Sequence, residues 1–204
     1  TTNEKERVNL NDTDVKFIKG AGRIDTNYNC QTAISEDGII VSAYSNNNAS
    51  DRTETIRVVE SAEANTNENV TDVLADSGYA SYDNYEYLES KGKNCFIPDQ
   101  QLNTESEKAQ NPYHRNHFKY DAENNQFICP ENKIVKYLHQ SKQKKTKQEV
   151  SVYQCHDCPT CDKQSLCTKG IFRQINIERR EHLRTKIRER LKSVEGKVKY
   201  VMRM

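Results

Sequence analysis

The chain has 204 residues, 34 % hydrophobic and 30 % charged, with a formal net charge of +1 at pH 7. No apolar run approaches the ~20 residues that cross a bilayer and no signal-peptide core is visible, so neither a membrane-spanning nor a secreted protein is expected. Seven unevenly clustered cysteines fit metal binding in a reducing compartment better than a disulfide framework, and a cytoplasmic location is expected.

In chain order, residues 1–20 are polar with weak periodicity, and their start, residues 1–7, reads as a loose end. From Thr26 to Ser35, Tyr28, Cys30, Thr32 and Ile34 alternate onto one face, the mark of a strand. Glu36-Asp37-Gly38 is turn chemistry, and Ile39 to Tyr44 is the second strand of an antiparallel hairpin. Asp51 opens a helix, with Glu54 three residues on in the form of a capping box and Ile56, Val59 and Ala62 along one face. Val70 to Ala75 is a third strand, ending at Asp76. Ser81 caps a short helix that turns Tyr85 and Leu88 inward and stops at Gly92. Cys95 to Ile97 is a short strand halted by Pro98. This order predicts an α/β fold, a mixed, α+β-like sheet with helices on its faces, over residues 1–98. Residues 99–117 read as a long polar loop. Two hairpins follow, Phe118–Tyr120 with Gln126–Cys129 and Ile134–Leu138 with Val150–Tyr153. The loop of the second carries Lys142, Lys144, Lys145 and Lys147. Residues 99–170 thus form an insertion, and residues 171–204 a strand and a basic helix.

Three features carry chemistry. A carboxylate such as Asp76 at the end of a buried strand costs free energy unless something pairs with it. A divalent cation is one such partner, and capping of the next turn is the plainer one. The cysteines follow the order Cys129, Cys155, Cys158, Cys161, Cys167, and thiolates two residues apart can chelate one soft ion. The most economical zinc set is Cys129, Cys158, Cys161 and Cys167, with Cys155 as an alternative ligand, and an iron–sulfur cluster is the competing assignment. The role predicted for zinc is structural, closing a knuckle with little apolar core of its own. The third feature is charge. Residues 1–132 hold 12 Lys and Arg against 23 Asp and Glu, and residues 133–204 hold 19 against 7, net −11 and +12. Much of the excess lies on a helix predicted from Glu178 to Ser193, with Leu183, Ile187 and Leu191 as its apolar stripe and Gly196 as its end. Arg179, Arg180, Arg184 and Arg188 on that helix either meet nucleic-acid phosphates or pair with the chain's own carboxylates.

Taken together, Asn27 to Ile34, Ser45 to Asp51, Val73-Leu-Ala-Asp-Ser-Gly-Tyr-Ala-Ser81, Phe127-Ile-Cys-Pro130 and the cysteine cluster resemble bacterial insertion-sequence transposases of the DDE type. The resemblance covers about residues 8–204. It implies an RNase H-like core in which three carboxylates hold two Mg2+ or Mn2+ ions for phosphodiester cleavage and strand transfer, with DNA, both transposon ends and target, as partner and a homodimer in the complete enzyme. The second carboxylate matches Asp76, Tyr79 is expected near the site, and Asn29 and Gln31 flank it. The first carboxylate, expected in an Asp-Gly-Thr-like context, has no counterpart before Thr26, and Asp25 stands in a turn. The third, a helical Glu, is not matched by Glu195. The expectation is therefore a transposase fragment, inactive alone. The alternative is a non-catalytic, zinc-stabilised nucleic-acid-binding module.

Overall fold

The computed structural model describes residues 9–20, 23–102, 110–143 and 148–203. Lys144, Lys145 and Lys147, and the start of the chain before residue 9, lie outside the described residues. The chain divides into two compact units, residues 1–100 with 186–204, and residues 101–185. Its class is mixed α/β.

The first unit opens with a hairpin that the weak periodicity of residues 1–20 does not signal: β1 (Lys16–Gly20) pairs antiparallel with β2 (Arg23–Asn27). The expected second hairpin is present, β3 (Asn29–Ile34) against β4 (Ile40–Asn46). Gly38 sits between them at φ 81, a left-handed position that a side chain would strain. The face of β3, however, is the reverse of the one its apolar residues suggest. Tyr28 and Ile34 are 44 % and 48 % exposed, whereas Gln31 is 2 % exposed.

Helix α1 (Thr55–Thr66) packs on β3 and β4 and buries Val59 and Ala62. Its predicted capping box is absent. Ser50 caps a helical turn over Asp51–Thr53, and the Glu54 side chain makes no cap bond. β5 (Asp72–Leu74) runs parallel to β6 (Asn94–Phe96), and α2 (Tyr82–Ser90) is the connection that a parallel pair needs. Ser81 caps α2 by accepting from the Asn84 N–H, as its sequence predicts. Tyr85, Leu88, Cys95, Phe96 and Ile97 are all at most 3 % exposed and form the core here. A buried side chain of this size contributes roughly 1.5–3 kcal/mol.

The second unit is one antiparallel meander in the order β11-β10-β9-β8-β7, from β7 (Lys119–Asp121), β8 (Gln126–Ile128), β9 (Ile134–Lys142), β10 (Glu149–Cys155) and β11 (Arg173–Glu178). Both predicted hairpins are in it. Its core gathers Phe118, Val135, Tyr153 and Ile175 with Cys155 and Cys158. The Tyr153 ring lies 4.9 Å from Phe127 and 5.6 Å from Tyr137 in edge-to-face contacts. A short helix, α3 (Gln164–Cys167), carries the last cysteine.

The basic helix is shorter than predicted, and Gly196 does not end it. Glu178 closes β11, and its carboxylate accepts from the Arg180 backbone N–H. Helix α4 then spans Glu181–Lys192, its residues from Lys186 onward belonging to the first unit. Ser193 starts a further helix, α5 (Val194–Val201), by accepting from the Gly196 N–H at 3.0 Å. Gly196 is buried, and a Cβ there would stand 1.9 Å from the Arg190 carbonyl oxygen. The two helices can meet at this angle only over a residue with no side chain.

Candidate active site

Asp76 follows β5 by two residues, at the C-terminal end of the parallel pair. It is exposed rather than buried, and its Oδ1 accepts from the Gly78 N–H at 2.6 Å. The turn-capping role weighed for it is therefore real. That bond occupies one carboxylate oxygen and leaves the second available to a further partner.

A second carboxylate converges on the same turn. A Cβ added to Gly78 would lie 2.8 Å from Asp76 Oδ1 and 3.3 Å from Asp51 Oδ2. Gly78 is thus required for close approach rather than for its φ. The other oxygen of Asp51 is held from the hairpin: Asn29 Nδ2 donates to Oδ1 at 2.7 Å and Gln31 Nε2 at 2.8 Å. Gln31 Nε2 also donates to Asn29 Oδ1 at 2.9 Å, and its Oε1 accepts from the Tyr79 hydroxyl at 2.5 Å. Burial, and then the charges of Asp51 and Asp76, push the Tyr79 phenol above its ordinary range. Asn84, 1 % exposed, clamps the two turns together, donating to the Arg52 carbonyl at 2.8 Å and the Tyr79 carbonyl at 2.7 Å.

Periodicity assigns Asp51 and Glu54 to one capping box, and the structure gives them separate roles. Asp51 joins the site. Glu54, 3 % exposed, accepts from the Tyr44 hydroxyl, Asn46, Asn48 and Thr53 and so knits β4 to the start of α1. The signal for Asp51 was the buried Gln31, visible in sequence only as a polar residue alternating with the apolar ones. Asp25 and Glu195 are not brought to Asp76 by any bond described above.

Cys129, Cys155, Cys158, Cys161, Cys167 and Arg173 line one pocket in the second unit. Backbone N–H groups of Lys133 and Arg173 point at Cys129 Sγ and Cys158 Sγ, each at 3.3 Å. Such N–H groups are the kind of outer-shell donor that orients a metal-binding sulfur. Among the described residues, however, no group of three or more His, Cys, Asp or Glu side chains is placed to hold a metal ion. Burial pushes the Cys155 thiol up to about 12 and raises Cys167, whose rise the nearby Arg173 guanidinium opposes.

The basic helix spends much of its charge at home. Arg180 pairs with Glu178 at 3.0 Å and Arg184 with Glu181. Arg188 holds Asp99 with two bonds, Nε to Oδ2 at 2.6 Å and Nη2 to Oδ1 at 2.8 Å. Arg190 and Lys186 both bond Glu89. Arg179 is exposed.

The comparison with known families bears on this half of the chain. Residues 128–204 match the family model of the Transposase DDE domain. The matched stretch takes in the five pocket cysteines, β11, α4 and α5. It does not reach Asp51 or Asp76, so the family match and the geometry of the carboxylates are independent observations. No curated protein and no solved structure matches the chain. Among the described residues, no helix is long and apolar enough to cross a membrane.

Proposed function

We propose that the chain is part of a DNA transposase, that residues 1–98 are a partial RNase H-like core, and that Asp76 is its carboxylate ligand for Mg2+ or Mn2+. The observation that carries the reading is the position of Asp76 just beyond the C-terminal end of a parallel strand pair, where ligands of open α/β sheets collect. The transposase match over residues 128–204 supports the same class. Carboxylate oxygens are the donors that a hard cation takes, so Asp76 fits the ion, with Asp51 beside it. When bound, the ion supplies an activated water and later an activated DNA 3′ hydroxyl for in-line attack. Asp76 offers its oxygen, the Gly78 N–H orients that carboxylate, and the two locked turns keep it at the rim.

With no group of three acids gathered among the described residues, the chain by itself is not expected to nick DNA. Reading the coding DNA on either side tests this. An in-frame strand carrying Asp upstream and a helix carrying Glu downstream are expected, and their absence counts against a transposase core. In the protein that joins those segments, Asp76→Asn removes Mg2+-dependent cleavage while DNA binding persists. Cleavage retained in that variant would dismiss Asp76 as a ligand.

The cysteine pocket favours a second reading, a zinc-stabilised nucleic-acid-binding module. Its thiols and paired N–H···S bonds fit zinc by donor chemistry, through Cys129, Cys158, Cys161 and Cys167 with Cys155 in reserve. Phosphate contact would begin at Arg179, since Arg180, Arg184 and Arg188 must first leave their carboxylates. This module would retain DNA steeply less as salt rises, without metal-dependent nicking. Stoichiometric zinc in colourless protein is expected, whereas visible absorbance after anaerobic purification would assign an iron–sulfur cluster.

A further inference from the structure

We infer that Gln31, Asn29 and Tyr79 are positioning residues for the Asp76 turn, acting together through Asp51. This rests on the reading of Asp76 as a cation ligand. A primary amide 2 % exposed is costly to bury unless every polar end is used. Gln31 uses all of them, two donors on Asp51 and Asn29 and one acceptor for Tyr79. Apolar residues would fill this face at less risk, because a half-satisfied buried network is worse than none. β3 instead turns Cys30 and Ile34 toward solvent and keeps a glutamine inside.

The direction of the bonds gives the network its purpose. Both amide donors converge on Oδ1 of Asp51, which leaves Oδ2 on the Gly78 side, where Asp76 Oδ1 also approaches the same glycine. Tyr79 is gripped twice, at its hydroxyl by Gln31 and at its carbonyl by Asn84, and its own N–H bonds the Asp76 carbonyl at 3.3 Å. The segment 76–79 therefore cannot rotate without breaking a bond to β3 or to α2. Where the Asp76 carboxylate points is decided 45 residues upstream, at Gln31.

The probe is Mn2+ added to the full 204-residue chain, read by paramagnetic broadening of the Gly78 backbone amide in a heteronuclear NMR spectrum. In the wild type that resonance broadens early in the titration, and in Asp76→Asn it does not. Gln31→Met keeps the volume and removes the bonds, and Tyr79→Phe removes one hydroxyl. Each should require about tenfold more Mn2+ for the same broadening, the lower end for residues that orient a metal ligand. The double variant should require no more than either single one, because residues acting as one unit are not additive. Thermal melting of each variant separates this from general loosening, and Tyr79→Phe serves if Gln31→Met fails to fold. If Asp76→Asn shifts the titration and the two network variants do not, the positioning role is overturned and Asp76 stands. If Asp76→Asn leaves the broadening unchanged, the cation reading falls and takes this inference with it.

Discussion

The two units solve the same problem, a polar chain with few large apolar residues, by opposite chemistry. The first binds its own charges. Lys93, 4 % exposed, reaches Glu63 at 2.5 Å, Asn69 at 3.0 Å and the Val70 carbonyl at 2.8 Å, and Glu89 and Asp72 take Arg190 and Lys199. The second unit stacks rings and thiols, and burial pushes Tyr153 and Cys155 each up to about 12. The first unit thus rests more on ion pairs between distant segments, and the second on packed rings and thiols. Ion pairs hold distant segments of a chain at particular points, whereas a thiol cluster holds nothing until a metal or a well-packed interior closes it.

The largest expected effect follows from that difference. If zinc closes the cysteine pocket, chelator should open residues 101–185 to protease while residues 1–100 stay resistant, because metal binding there would be folding free energy. Cleavage confined to residues 1–98 would reverse the comparison. Lys93→Met comes next. It strands Glu63 and should cost about 3 kcal/mol by urea denaturation, the low end for breaking a buried pair, since Glu63 retains some water contact.

Acid sharpens the same contrast. Donation from Lys93 holds Glu63 below its ordinary value. Burial alone would raise Glu89 and Asp72, but bonds from Lys186 and Arg190, and from Lys199 and Asn94, outweigh it and lower both. Folded values below the unfolded ones mean stability that is present above the unfolded carboxylate range, about pH 4, and lost as pH falls through the folded values. The acid limb of the stability curve should flatten in Lys93→Met. An unchanged limb would remove Glu63 from the account. The smallest change is expected from Arg188→Gln, about 1–3 kcal/mol from loss of a charge-assisted fork on Asp99, with little change in DNA retention. A loss of DNA retention without a loss of stability would return Arg188 to the nucleic-acid face.

What the sequence made legible was local. The turn at Gly38, the Ser81 cap and the hairpins of the second unit follow from nearest-neighbour chemistry, and each is present. What it hid depended on partners far along the chain. The alternation from Tyr28 to Ile34 identifies a strand, but which face is buried depends on α1 and on Asp51, twenty residues from Gln31. Asp51 and Glu54 match a capping box by spacing, and the tertiary donors Asn29, Gln31, Tyr44 and Asn46 outcompete the cap. The opposed charges of the two halves pointed equally to DNA and to self-pairing, and only the geometry shows Asp99 and Glu89 occupying Arg188 and Arg190. The place of Asp76 just past a strand was legible because its strand, turn and glycine are contiguous.

Gly196 has a consequence for inheritance. The Arg190 carbonyl oxygen lies where its Cβ would be, and every missense change of a glycine codon adds a Cβ. The elbow between α4 and α5 therefore has no intermediate alleles. It either keeps its angle and delivers Lys199 to Asp72, or it springs open at the first amino-acid replacement.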